Sequence, residues 1–237
     1  MLKGISIFIV LIGLGLITPA GVSAQAENNP PVVRILAPSD KSTHERNSQL
    51  RFQIKVSDPE DGESEYDEIA THEVFLEVRY LADVSKVSTY THSPDPNGLQ
   101  AMKKSNCFNC HAFNSKLIAP SLLDISKRYP ENSVNTELLA KRIREGSVGV
   151  WGGAAMPTHA EISDQEARDI VTWIFKNAQD PDLNYYTGTE GSIRINAPGG
   201  TSQKRVVLLS ASYSDHGSKN NPVLRMSSKD VILLYVK

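Results

Sequence analysis

Between residues 28 and 88 the apolar positions recur every second residue. Leu50, Phe52, Ile54 and Val56 alternate with Arg51, Gln53 and Lys55, the period of a strand with one face in a core. Val74, Leu76, Val78 and Tyr80 repeat that period, and residues 32–36 form a shorter run of the same kind. From Pro96 to Ala178 the spacing lengthens to three and four, as on an amphipathic helix. Residues 96–104 predict a short helix, and Leu122, Ile125 and Tyr129 mark a second. Asn135 stands where it can cap a third, carrying Leu138, Leu139 and Ile143, with Gly146 as its stop. Ser163-Asp164-Gln165-Glu166 has the form of a capping box. It opens a helix with Ala167, Ile170, Val171 and Ile174 on one face and Trp173 beside it. Beyond Pro181 the period of two returns at Ile193, Ile195 and Ala197, at residues 206–213 and at residues 231–236, with a turn from Asp215 to Pro222.

This patterning divides the chain into β segments at 28–88 and 184–237 and an all-α unit at 94–179. The expected fold class is multidomain α and β. Residues 85–96, rich in Ser, Thr and Pro, read as a linker. Three strands before the helices and about three after are each too few for a sandwich of their own. Together they resemble one immunoglobulin-like β-sandwich, made discontinuous by the helical unit inserted in it. Three units in a row is the alternative. The acidic stretch from Asp58 to Glu68 reads as a calcium loop or as a solvated turn, and its spacing matches no calcium motif.

Composition adds limits. Lys3, the apolar run 5–17 and Val22-Ser23-Ala24 have the form of a secretory signal peptide over residues 1–24. The run is short for a membrane span, so a cleaved leader is expected in preference to a retained anchor. The expected location is periplasmic or secreted, with no stable span after cleavage. The formal charge of the 237-residue chain is −2, which gives nucleic-acid binding no support. The chain has two cysteines, Cys107 and Cys110. If both serve a cofactor, no disulfide remains to hold the fold.

Those two cysteines stand in Cys107-Phe108-Asn109-Cys110-His111. On a helical turn positions i, i+3 and i+4 share a face, which presents two thiols and an imidazole together. C-x-x-C-H is a c-type haem attachment site: the thiols form thioethers and the imidazole takes an axial place on iron. A redox dithiol has no need of the following His, and a zinc site would need further thiolates or a spaced His pair.

Around this motif residues 94–179 resemble a class I cytochrome c of the small bacterial mono-haem electron-carrier type. The matching residues are Cys107 to His111, Lys116, Pro120, Lys127-Arg128-Tyr129, Gly149-Val150-Trp151-Gly152, Met156-Pro157 and the helix from Ser163 to Phe175. Ala119 stands where the family usually has glycine. The resemblance implies one covalent haem c, with His111 and Met156 as axial iron ligands. It also implies that the Pro120 carbonyl accepts the proximal imidazole N–H, and that the Trp151 indole N–H reaches a propionate. Core packing is the plainer role for Trp151. His159, Met102 and Met226 are the rivals of Met156 for the sixth position. Trp173 is expected to pack on the first helix near Gly98 and Met102, and His44, His72, His92 and His216 are expected at the surface.

The resemblance implies electron transfer without independent catalysis. An exported dehydrogenase, such as a sugar dehydrogenase, would be the donor, and a cytochrome or oxidase the acceptor. The alternative is a haem sensor of redox state or gas whose β domain docks a glycan or protein. A peroxidase is a weaker third reading, since only one C-x-x-C-H is present. Basic and acidic residues nearly balance between 94 and 178, so no strong field steers a partner.

Overall fold

The computed structural model describes residues 28–91, 93–195, 206–222 and 224–237. The expected leader 1–24, His92 and Ala197 lie outside them. In chain order the β elements before the helices are β1 (Val32–Ala37), the two-residue β2 (Thr43–His44), β3 (Gln49–Asp58), β4 (Gly62–Glu63) and β5 (Phe75–Leu81). Then come helices α1 (Val87–Thr91), α2 (Asn97–Lys104), α3 (Leu122–Arg128) and α4 (Ser133–Glu145). A hairpin of β6 (Ser147–Gly149) and β7 (Gly152–Met156) precedes α5 (Asp164–Asn177). Strands β8 (Leu183–Thr187), β9 (Glu190–Arg194), β10 (Val206–Ser214) and β11 (Ser227–Val236) follow.

Two sheets face each other. In one, β3 lies between β1 on one edge and β4 and β9 on the other. In the other the order is β2-β11-β10-β5-β8. Strands from both sides of the helical block therefore pair: β3 with β9 from Gln49↔Arg194 to Gln53↔Glu190, and β5 with both β10 and β8. The alternating residues Phe52, Ile54 and Val56 of β3 meet Leu76, Val78, Leu209, Ala211 and Leu234 of the second sheet in one core.

Strand β10 is buried along both faces. Its second face, with Val206 and Leu208, is covered by Val87 and Tyr90 of α1. The stretch 85–96 is thus not a loose linker: Val87 and Tyr90 lie one helical turn apart and dock on the sheet. At the C-terminal end of β10, Ser212 accepts a hydrogen bond at 2.8 Å from the buried Lys103 ammonium of α2. Lys103 is paired with Asp95 at 2.6 Å, which also holds Lys229 of β11 at 3.1 Å. Burial lowers the Lys103 pKa, and Asp95 opposes that shift.

The helical block packs α2 and α4 against α5. Gly98 lets α2 approach so closely that a Cβ there would meet the Asp169 carbonyl and the Ile170 amide of α5. Both halves of the capping box at Ser163 and Glu166 are present. Helix α4 begins three residues earlier than expected: Asn132 is its cap, accepting from the Asn135 amide at 2.9 Å, and Asn135 already lies inside the helix. Both residues have the chemistry of a cap, and Asn132 follows the proline that halts the previous helix.

Strand β8 was not foreseen. Its Leu183 and Tyr185 turn into the helical cluster, whereas Tyr186 turns to the sandwich core. Trp173 has its aromatic neighbours there, Phe113 at 6.2 Å and Tyr185 at 5.5 Å, in the cluster that also holds Met102. Among the described residues no helix is long and apolar enough to cross a membrane.

Candidate haem site

Helix α2 ends at Lys104, and Asn106 then takes a left-handed conformation at φ 56°. This breaks the helix axis and starts a separate turn through the motif. The amides of Cys110 and His111 both donate to the Cys107 carbonyl, at 3.2 and 3.0 Å. Cys107, Cys110 and His111 line one cavity of about 720 Å³. Its walls include Leu122, Ile125, Leu139, Ile143, Val171 and Ile174 from three helices. The cysteines form no disulfide. Burial pushes the free Cys107 thiol up to about 12, opposite to what a redox dithiol or thiolate ligand needs.

The loop after the motif is tied back to it: Ala119 N–H donates to Cys110 O, Leu122 N–H to Ala112 O and Leu123 N–H to Phe113 O, all at 3.0–3.1 Å. That ladder sets the Pro120 carbonyl 2.7 Å from His111 Nδ1, with Ala119 in the glycine's place. A carbonyl only accepts, so Nδ1 carries the proton and Nε2 keeps its lone pair. Burial lowers the His111 pKa, with the Pro120 contact opposing, so the neutral imidazole is favoured. This is the form that binds a metal.

Met156 reaches the same cavity from the β6–β7 hairpin, where it pairs with Ser147. Gly146 has φ 81°, and a Cβ there would come within 2.8 Å of the Met156 carbonyl, so the hairpin can start this close to α4 only at glycine. His159 and Met102 also line the cavity, and Met226 does not. Met102 is almost fully buried in the helical core. His159 is held at both ends: its amide donates to the Ile143 and Arg144 carbonyls, and its Nδ1 lies 2.8 Å from Glu161.

Trp151 is 38% exposed at the cavity's edge. The Arg128 guanidinium lies 4.5 Å from its ring centre and donates to the Val150 carbonyl at 3.0 Å. Tyr129 meets the ring edge-on at 6.5 Å, and its hydroxyl accepts from Arg142 at 2.7 Å. The roles of Arg128 and Arg142 were not read from the sequence, because no local pattern links residues on different helices to one indole.

The donor set fits haem c: two thiols beside an imidazole with a free Nε2, an apolar cavity, a thioether on a separate wall, and Lys104, Lys116 and Arg142 along the lining for acidic groups. Comparison with known proteins agrees. The family model described as Cytochrome c matches residues 97–177. Cytochrome c-552 of Nitrosomonas europaea is 39% identical over 72 residues, 30% of this chain and 70% of that protein. The chain belongs to the cytochrome c family. Cytochrome c-551 of Pseudomonas aeruginosa is 36% identical over 80 residues, 34% of this chain and 74% of its own length. The crystal structure of wild-type Nitrosomonas europaea cytochrome c552 aligns at 36% identity and TM-score 0.32, covering 33% of this chain and 96% of that one. As a cytochrome c, the chain carries haem c covalently and is a mono-haem electron-transfer protein.

Two further expectations meet the structure away from this site. His216 lies at the surface as expected, and its ring bridges Asp61 and Glu73, at 3.0 Å to each. Residues 58–68 include the turn between β3 and β4. Among the described residues no three His, Cys, Asp or Glu side chains gather as a metal site. The loop's carboxylates are engaged locally: Asp61 holds Tyr213 and His216, Glu63 holds Ser57, and Glu68 holds the Glu63 amide.

Proposed function

We propose that this cytochrome is an exported one-electron carrier in which Cys107 and Cys110 hold the haem and His111 and Met156 are its two axial ligands. The bound group supplies Fe(III)/Fe(II) cycling. The observation that carries the reading is the His111 Nδ1–Pro120 hydrogen bond of 2.7 Å beside a cavity that Met156 also lines. That bond orients the imidazole and strengthens it as a donor. The Met156 thioether is soft and neutral, and paired with a histidine it raises the reduction potential. With both places taken by protein side chains, no position is left for a substrate. Trp151 and the nearby guanidinium groups would hold the propionates at the cavity's edge.

An exported dehydrogenase, such as a sugar dehydrogenase, supplies the electron, and a cytochrome or oxidase accepts it. The signal-like residues 1–24 and the attachment of haem c outside the cytoplasm support a periplasmic or secreted location. We read the two sheets as an immunoglobulin-like sandwich with the cytochrome unit inserted between its halves. The pairings of β3 with β9 and of β5 with β8 and β10 support this. The sandwich acts as a rigid carrier: Phe75 of β5 packs edge-on against Phe108 inside the haem motif, at 5.2 Å.

The test is the optical spectrum of purified protein, oxidised and reduced, with and without carbon monoxide, beside Met156→Ala. The expected parent is low-spin, shows a sulfur–iron charge-transfer band and ignores carbon monoxide, and the variant loses the band. Rapid carbon monoxide binding by the parent would overturn the closed-carrier reading.

A further inference from the structure

One end of the sandwich has a charge problem that its own side chains do not solve. On β3 the inward-facing stripe runs Phe52, Ile54, Val56 and then Asp58. On β10 it runs Leu209, Ala211, Tyr213, and the next residue in phase is Asp215. Each apolar stripe therefore ends in a carboxylate turned towards the interior. Asp58 is 3% exposed and Asp215 fully buried. No Lys or Arg forms an ion pair with either among the described residues. Two buried carboxylates near one another without a counter-charge are strongly unfavourable.

The oxygens are unequally used. Asp58 Oδ1 accepts from the Glu60 and Asp61 amides at 2.9 and 2.8 Å. Asp58 Oδ2 is buried and has no partner among the described residues. Asp215 Oδ1 accepts from the Gly217 and Met226 amides at 3.0 and 2.8 Å. Among the described residues Asp215 Oδ2 receives only the Asn28 amide group, at 2.9 Å. Asn28 also donates to the Leu224 carbonyl at 2.8 Å, while its own Oδ1 is buried without a partner. Its neighbour Asn29 hydrogen-bonds Glu60 of the turn that follows Asp58. Segments from the start of the described chain, the β3–β4 turn and the end of β10 thus converge, with two orphaned buried oxygens among them.

We propose that Asp58, Asp215 and Asn28 bind one calcium ion, which joins the two sheets and the chain's leading segment at this end of the sandwich. Two carboxylates match a divalent charge, and the donors are all oxygen, as calcium requires. The set needs only two carboxylates, in keeping with the absence of a three-carboxylate cluster. Main-chain carbonyls and water complete the six to eight positions that calcium takes. Magnesium demands a regular octahedron and gives up water reluctantly, so this irregular set disfavours it. Burial raises the Asp58 pKa, and the charges of Asp61 and Asp215 add to that effect. The rival arrangement is therefore a protonated Asp58 without a cation. Nothing here depends on the haem reading.

The experiment titrates full-length, haem-loaded protein, first stripped with EDTA, with calcium chloride or magnesium chloride, following calorimetric binding and thermal melting. One calcium per chain is expected, with melting raised by about 5 °C or more at a hundred-fold excess over the dissociation constant. Magnesium should bind at least ten-fold more weakly, and the haem absorption should not move. Asp58→Asn should abolish the response. Asn28→Ala, at the edge of the fold, should weaken binding at least ten-fold, and it decides the matter should Asp58→Asn not fold. A stripped parent that neither binds calcium nor melts higher would overturn the site in favour of the protonated carboxyl. Calcium binding of equal strength in Asn28→Ala would overturn the assigned ligands.

Discussion

In the sandwich, Val56, Leu76, Leu209, Ala211 and Leu234 meet across two sheets, and none of the five is measurably exposed. In the helical block, Leu122, Ile143 and Val171 face a cavity of about 720 Å³. The β-sandwich closes its core with its own side chains, as strands with strict period two on facing sheets can. The helical block lines a cavity with apolar side chains, and it also draws Phe75, Leu183 and Tyr185 from the strands to finish its far side. Its stability therefore depends on a cofactor within and on a β wall outside. The seam between the two regions is aromatic and charged: Phe75, Phe108, Tyr185, Phe113 and Trp173 form a chain of ring contacts. Beside it, Tyr185 donates to Glu77, which is paired with Arg79 at 2.8 Å. The haem motif is thus held against the sheet as well as by the short helix that precedes it.

The contrast can be broken first at the cofactor. His111→Ala should remove the six-coordinate native spectrum from essentially all molecules while the sandwich stays folded. An unchanged spectrum would refute the proximal assignment. Next in size is deletion of residues 184–237, which takes away β8 to β11 and the partners of β3 and β5. The remaining N-terminal strands should lose their cooperative melting transition, and a truncated protein that melts like the parent would show that they stand alone. Leu234→Ala, in the closed core, should destabilise the sandwich by about 2–5 kcal/mol and leave the haem spectrum in place, by chemical denaturation and absorbance on one sample.

The smallest expected effect is electrostatic. Burial opposes the charging of His216, but Glu73 and Asp61 outweigh it and raise its pKa above the ordinary 6.5. Protonated His216 therefore stabilises the fold fully below 6.5, and that contribution fades as pH rises through the raised value. Asp61 has the opposite sign. Burial works against its charge, but Tyr213 and His216 outweigh it and lower its pKa below 3.8. Its contribution is present above 3.8 and is lost on acidification through the lowered value. His216→Gln should flatten the fall in stability between mildly acid and mildly alkaline pH, a change of less than about 1 kcal/mol at this half-exposed site. A stability profile identical to the parent's would remove the bridge from the account.

How much was legible follows from range. Arg51, Gln53 and Lys55 between apolar neighbours mark β3 because the alternation is local, and Ser163 with Glu166 marks the start of α5 for the same reason. Asn132 and Asn135 could not be ranked as caps, since the two are chemically alike and three residues apart. Leu183-Asn184-Tyr185-Tyr186-Thr187 escaped notice because its two faces serve different cores, which blurs the alternation. The ion pairs of His216 were not legible, for Asp61 and Glu73 lie more than 140 positions away in the chain.

The sequence alone determined the local chemistry. The spacing of Cys107, Cys110 and His111, the two hydrophobic periods and the capping box each depend on residues within a turn or two, where covalent geometry sets who meets whom. Tertiary structure alone decided which strands pair across the helical block, that Phe75 and Tyr185 wall the haem motif, and that Asp58, Asp215 and Asn28 converge at one end. Those contacts join positions far apart in the chain. A strand edge or an apolar face carries no mark of its distant partner, so burial of the whole chain selects it.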